Sequence, residues 1–439
     1  MNGFMDKFQN GLMLVASKLN SNKHLTALKE GMMITIPLTI IGGVFMLLAQ
    51  PPINGSATAG TNFFIDFLLA WKAWATVNSG WLLAVYHLTI GAIAIYVAFA
   101  VAYRMAKTYK LNGLSIGFAS LFLFILTAAQ PMTTPEIGTY ISMGNLGGKG
   151  MFYSIIVAFI TVEIFRFFKE KNISIKLPPQ VPPNVAAPFE ALIPFSALTV
   201  GFVVANLASN SMIGTDLCGL IYAILSPLMY ASASLPSVIL ISILLSLFWF
   251  VGIHGNNLVG AVLTPITTAN IALNAEVLVS GQGTMTPLAG AFMTIFGNWM
   301  SYPAMMIAFF LVARSAHLKS IRKLAIVPDL FNINEPLTFG VPIVLNLTLA
   351  LPIMICNVIM CSVAYILMSS GIVGSIYITM PFTTPAVIQL FLSTGDIKSV
   401  IMWVAMFIVD IIILIPFVKI YDKQMLAEEN VNLTAPVEA

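Results

Sequence analysis

Residues 331–346 read FNINEPLTFGVPIVLN and place a carboxylate, Glu335, behind the amides Asn332 and Asn334 and ahead of Pro336, between long apolar runs. Holding a carboxylate at the centre of a bilayer costs about 2.5 to 3.5 kcal/mol on insertion scales, so its presence there points to function. Pro336 has no backbone N–H to donate, and the helical ladder must break or restart at this point. Inside a membrane, non-helical backbone is tolerated only where protein buries it or where it lines a wet cavity, so the stretch is expected to form a re-entrant hairpin. Its amides and carboxylate offer the acceptors and donors that sugar hydroxyls require. The alternative is a carboxylate satisfied by its own loop backbone.

A second interruption, made by Trp249, Gly252, His254, Gly255, Asn256 and Asn257, breaks the hydrophobic run that begins near Val238. His254 follows an apolar run and precedes two asparagines, and Trp249 supplies a flat ring of the kind on which a pyranose face stacks. Two helix-breaking polar interruptions, each with one ionisable group, suggest a buried site for a polar solute. His24, His87 and His317 lack such company and read as interface or surface residues. Asp410 stands alone in the final apolar run without a companion motif.

The composition is that of a multi-spanning membrane protein: 59% of 439 residues are hydrophobic and 8% are charged. A net charge of +3 is too small to imply binding to nucleic acid. The three cysteines lie in apolar surroundings without C-x-x-C spacing and read as core-filling side chains. Apolar runs at 31–50, 81–103, 114–130, 152–167, 191–208, 236–251, 286–312, 339–368 and 400–417 are long enough to span. Shorter runs at 63–76 and 217–230 read as interfacial or partial spans. The expected fold is therefore an all-α polytopic membrane protein of about ten transmembrane helices with two re-entrant hairpins, within a range of nine to eleven spans.

Five segments follow. Residues 1–30 carry Phe4, Phe8, Leu12, Val15 and Leu19 at helical spacing and read as an amphipathic interfacial helix. Residues 31–175 form a first helical bundle, and 176–188, with prolines that favour extended backbone, form a stiff cytoplasmic linker. Residues 189–425 form a second bundle that holds the solute, and 426–439 a cytoplasmic tail. Lys and Arg cluster at 7–29, 104–110, 166–176, 314–323 and 419–423, whereas the loops 51–62 and 131–148 contain none. The positive-inside rule puts the clusters, and both termini, in the cytoplasm.

The stretches GNLGGKGMFYSIIVAFITVEIFRFFKEKNI from Gly144, VPPNVAAPFEALIP from Val181, GIHGNN from Gly252 and NINEPLTFGVPIVLN from Asn332 resemble the membrane-embedded IIC component of the bacterial sugar phosphotransferase system. They are most similar to its lactose/cellobiose/diacetylchitobiose branch and occur in the family's order. The resemblance implies a homodimer in the bacterial cytoplasmic membrane, with a scaffold first half and a sugar-carrying second half. It also implies a separate cytoplasmic phospho-IIB protein whose phosphocysteine is the phosphoryl donor. His254 and Glu335 match the residues that approach the reactive hydroxyl, and Trp249, Asn256, Asn257 and Asn334 match positions beside those turns. Phe382 stands where many relatives have tryptophan before a Thr-Thr-Pro triplet, and Leu347 where a proline often follows the asparagine.

The expected function is uptake of a disaccharide, of the β-glucoside, lactose or diacetylchitobiose kind, and its presentation to phospho-IIB. Glu335 and His254 would be catalytic, and Trp249, Asn256, Asn257, Asn334 and Phe382 would bind sugar. No metal or cofactor is expected. A proton-coupled sugar symporter with Glu335 as proton carrier is the alternative. A membrane-bound sugar transferase would need a carboxylate cluster, which the sequence does not display. The orientation is testable: an impermeant thiol reagent should leave Lys176→Cys unlabelled in intact cells and label it once the membrane is permeabilised. Efficient labelling before permeabilisation would reverse the topology.

Overall fold

In the computed structural model the described residues are 2–53, 58–60, 62–175, 178, 180–181, 183–341 and 343–434. The chain is almost wholly helical. The first half comprises α1 (Asn2–Ser21), α2 (Lys23–Ala49), α3 (Phe63–Leu88), α4 (Ile93–Thr108), α5 (Gly113–Ala128) and α6 (Met151–Glu170). Between α5 and α6 lies a small antiparallel hairpin, β1 (Met132–Thr134) with β2 (Gly138–Tyr140). The second half comprises α7 (Pro183–Ile213), α8 (Leu217–Ser232), α9 (Leu235–Phe250), α10 (Gly255–Ser280), α11 (Phe292–Ile295), α12 (Asn298–Val312), α13 (Ala316–Leu330), α14 (Glu335–Gly340), α15 (Leu347–Ser369), α16 (Ala386–Thr394) and α17 (Ile397–Thr434).

Among the described residues, eight helical segments are long and apolar enough to cross a membrane, or nine if α8 and α9, bent by 67°, count as one span. Helix α5, at 16 residues, is about 24 Å long and shorter than a bilayer core. Apolar side chains recur along the outward faces: Val200, Val204 and Leu207 on α7, and Ile401, Val404, Ile408 and Ile412 on α17. This spacing is a lipid-facing stripe, because a helix that shows apolar residues outward needs an apolar solvent.

Helix α4 is the axis of the first half. Ala94, Ala98, Ala102 and Ala106 repeat every fourth residue and are buried, which lets neighbouring backbones approach closely. Helices α2, α5 and α6 all pack on it. A Cβ on Gly31 would lie 2.7 Å from the Val101 Cα, and Ser120 Oγ donates to the Ala98 carbonyl at 2.8 Å. In the second half α15 packs against α9, α12 and α17, while α10 lies between the halves, touching both α2 and α9.

Several elements differ from the sequence-based expectation. The expected span at 81–103 is divided: α3 ends at Thr89, whose hydroxyl donates to the Val85 and Tyr86 carbonyls, and α4 starts after a single 3₁₀ turn. The short run at 63–76 is the first part of the 26-residue α3. The proline-rich stretch turns helical at Pro183, inside the expected linker, since a proline that opens a helix needs no N–H there. Residues 176, 177, 179 and 182 of that linker lie outside the described residues. Helix α17 continues to Thr434, so the tail expected from residue 426 is helical to that point, and residues 435–439 lie outside the described ones. Helix α1 packs with Ala16 buried against Phe248 and Leu258 and with Leu12 and Leu19 beside them.

The segment 144–150 makes a close contact between the halves. A Cβ on Gly148 would stand 2.6 Å from the Ala269 carbonyl oxygen and 2.9 Å from Leu273 Cγ on α10. Lys149 pairs with Glu276 on the same helix at 3.7 Å. Gly148→Ala should therefore cost about 1 to 3 kcal/mol, the usual cost of overpacking, and lower the thermal midpoint of the detergent-purified protein. An unchanged midpoint would show that this contact is not close-packed.

Candidate functional site

The site is built where two helices, α9 and α13, stop. Helix α9 ends at Phe250; the N–H groups of Gly252 and Ile253 fold back onto the Trp249 and Phe248 carbonyls at 3.0 and 2.9 Å. Gly252 takes φ +81°, a left-handed conformation that glycine adopts without steric cost. His254 then caps α10: its Nδ1 accepts from the Asn257 N–H at 3.3 Å. Gly255 has no alternative, since a Cβ there would lie 2.6 Å from the Leu245 carbonyl oxygen.

The second turn follows α13. The N–H groups of Phe331, Asn332 and Ile333 bond to the Pro328 and Asp329 carbonyls, each at 3.0 Å, and Asn332 sits at φ +65°. Asn334 caps the six-residue α14, in which Glu335 is first and Pro336 occupies an early position that needs no donor. The chain then returns through Leu345, whose N–H reaches the Phe250 carbonyl at 2.8 Å, and Asn346 caps α15. The two turns are thus tied by a backbone hydrogen bond.

This arrangement brings His254 and Glu335 together. Nε2 of the imidazole stands 3.8 Å from Oε1 of the carboxylate, with both side chains about half exposed, at 40% and 47%. The distance exceeds a direct hydrogen bond, so each group remains open to a third partner. With Nδ1 accepting, the neutral ring carries its proton on Nε2, and the pair presents one donor and one acceptor side by side. Trp249 lies behind: its ring centroid is 4.5 Å from that of His254, and the indole is buried with Nε1 unpartnered among the described residues. Asn334 is buried, its Nδ2 making a long 3.5 Å contact to the Asn298 carbonyl and its Oδ1 unpartnered. Asn256 and Asn257 occupy the first turn of α10, with Asn257 exposed.

Phe382 enters from a different direction. Asn332 Nδ2 donates to the Phe382 and Thr384 carbonyls at 2.6 and 2.7 Å, which holds the Phe382 ring, 63% exposed, beside the Glu335 turn. The loop between α15 and α16 thus packs against the Glu335 turn, and α10 holds its other end, with Asn274 Nδ2 donating to the Ile376 carbonyl at 2.7 Å.

Sequence reasoning placed Asn332 in the motif but gave it no role, and it passed over Ser246, Asn298 and Asn357, which are buried around the same turns. A single amide inside an apolar helix was the available signal. Asp329 was also missed. It is a second carboxyl six residues before Glu335, buried, with burial pushing its pKa up to about 8. Its inaccessibility leaves Glu335 as the carboxyl that a solute can reach. Among the described residues no cluster of metal-ligating side chains occurs. A cavity of about 540 Å³ bordered by Lys149, Tyr222 and Glu276 lies apart from these turns, and its Asn270 and Asn274 amides are taken up by the Leu288, Thr286 and Ile376 carbonyls.

A polytopic helical bundle with broken helices meeting around neutral amides, one imidazole and one carboxylate is a membrane carrier for a polar solute. The chain belongs to the EIIC family of the phosphotransferase system, whose model matches residues 29–356. It is 34% identical to the cellobiose-specific EIIC component of Geobacillus stearothermophilus, over 99% of this chain and 98% of that one. It is 30% identical to the lactose-specific EIICB component of Staphylococcus haemolyticus, over 94% of this chain and 70% of the relative. The crystal structure of the transporter ChbC, the IIC component of the N,N'-diacetylchitobiose-specific phosphotransferase system, superposes with a TM-score of 0.83 at 31% identity, covering 95% of this chain and 98% of that one. Nothing in these likenesses supports the symporter alternative.

Asn332 does two jobs that substitutions can separate. Asn332→Gly keeps the left-handed backbone and removes the two hydrogen bonds to the 382–384 loop, while Asn332→Ala adds backbone strain. Loss of the bonds should cost about 1 to 3 kcal/mol, and the alanine variant about 1 to 2 kcal/mol more. Thermal midpoints of the two purified variants check the ordering. Equal midpoints for glycine, alanine and asparagine would remove Asn332 as the tie between the Glu335 turn and the 382–384 loop.

Proposed function

We propose that this EIIC component binds a β-linked disaccharide of the cellobiose, lactose or diacetylchitobiose type, carries it across the bacterial cytoplasmic membrane, and presents one hydroxyl to a cytoplasmic phospho-IIB protein. The observation that carries the reading is the 3.8 Å approach of His254 Nε2 to Glu335 Oε1 at the meeting point of two broken helices. A hydroxyl lodged against the pair can accept from the imidazole N–H and donate to the carboxylate, an arrangement that orients its lone pair for attack. The hydroxyl oxygen attacks the phosphorus of the IIB phosphocysteine, the P–S bond breaks, the thiolate leaves, and the hydroxyl proton passes to Glu335.

Other residues serve binding. The exposed Phe382 ring offers a face for a pyranose, Trp249 backs the imidazole from beneath, and Asn334, with Asn256 and Asn257, supplies amide partners for sugar hydroxyls. The basic clusters support a cytoplasmic location for both termini and for the IIB-docking face. A homodimer through the first half would leave the second half free to move against it. The EIICB relative, which carries more chain than this one matches, is consistent with a donor domain that works next to the sugar site.

Glu335→Gln preserves size and most hydrogen-bonding capacity but cannot take the proton. Sugar binding should largely survive, while single-turnover phosphorylation by phospho-IIB should fall by roughly 10²-fold, as for loss of a general base. Equilibrium binding and single-turnover phosphorylation measured on the same purified variant separate the two effects. Near-normal phosphorylation would remove the general-base role.

A further inference from the structure

Buried polar side chains from three helices of the second half meet behind the two turns: Ser246 on α9, Asn298 on α12 and Asn357 on α15. Asn357 Nδ2 donates both of its hydrogens, to Ser246 Oγ at 3.0 Å and to Asn298 Oδ1 at 2.9 Å. The Asn298 carbonyl in turn receives Asn334 Nδ2 at 3.5 Å. Ser246 lies three residues before Trp249 on the same helix, and Asn334 directly precedes Glu335. The path Ser246, Asn357, Asn298, Asn334 therefore connects the helix that leads into the His254 turn with the residue that launches Glu335, through the interior.

Stability alone does not explain this path. Apolar side chains of the same volume would pack α9, α12 and α15 without the desolvation cost of two carboxamides. What directional bonds add is a defined distance, because a hydrogen bond weakens steeply when its partners slide, whereas apolar contacts tolerate slip. The function that needs a defined distance is the pairing of His254 with Glu335, since a displacement of about 1 Å at a reacting group can cost 10²-fold in rate.

We infer that Asn298 and Asn357 are positioning residues that set the spacing of His254 and Glu335 and thereby govern phosphoryl transfer, an inference that rests on the function proposed above. Asn357→Leu keeps the branched side-chain shape and removes both bonds. In the otherwise native protein it should slow single-turnover phosphorylation by phospho-IIB about tenfold, while the sugar dissociation constant changes by no more than about threefold. In a Glu335→Gln background the same substitution should slow the residual reaction by less than about twofold, because the carboxylate it positions is gone. Ser246→Ala deletes only one hydroxyl, and should slow the native reaction about threefold, again with the effect lost in the Glu335→Gln background. It decides the question by itself if Asn357→Leu does not fold. A loss below about twofold in the native background, or an equal loss in both backgrounds, overturns the inference and leaves the amides as ordinary packing. Failure of the underlying reading is seen separately, as normal phosphorylation by Glu335→Gln alone.

Discussion

A peptide group that leaves the helical ladder inside a bilayer has no water to bond, and each such group must find a partner within the protein. The structure meets this constraint at several breaks in its second half. Gly252 and Ile253 return to the end of α9, Leu345 reaches the Phe250 carbonyl, and the loop at 382–384 gives two carbonyls to Asn332. The Leu288, Thr286 and Ile376 carbonyls go to the amides of α10. Asparagine side chains stand in for solvent, which explains why so many appear in a chain with so few charges. The site grows from the same constraint: where helices must break, polar groups must be supplied, and those on the open side of the break meet the solute.

The sequence exposed the breaks but not what closes them. Glu335 and Pro336 cannot continue an apolar helix without consequence, and Gly252, His254 and Gly255 interrupt another, so both turns were legible from residue chemistry alone. Nothing in that chemistry indicates that Asn332 reaches carbonyls fifty residues later in the sequence, at Phe382 and Thr384, because the pairing has no period and the acceptors are backbone atoms of unremarkable residues. Asn298 and Asn357 were invisible for a related reason. Each is a lone amide within a hydrophobic run, and only the packing of α9, α12 and α15 brings them together. The break at Thr89 also left little trace, because a threonine hydroxyl bonded to its own helix costs nothing that hydropathy records. At 183–188 the prolines read as extended chain, yet a helix can begin on the first of them.

The cap formed by His254 bears on which member of the pair takes the proton in the proposed reaction. An imidazole that accepts the Asn257 N–H through Nδ1 is held in the tautomer with hydrogen on Nε2, the nitrogen that faces Glu335. As long as the cap is made, Nε2 has no lone pair to offer a hydroxyl proton. Using His254 as the base would require the ring to move its proton to Nδ1, at the cost of the side-chain half of the cap, while the His254 carbonyl still receives the Asn257 N–H at 3.1 Å. Glu335 faces no such cost: its carboxylate is reachable, accepts without rearrangement, and lies next to a donor that can hold the same hydroxyl in place. On the proposed reading, the imidazole is the donor that orients the hydroxyl and the carboxylate is the acceptor that takes its proton. The buried Asp329, without access to a solute, supplies neither.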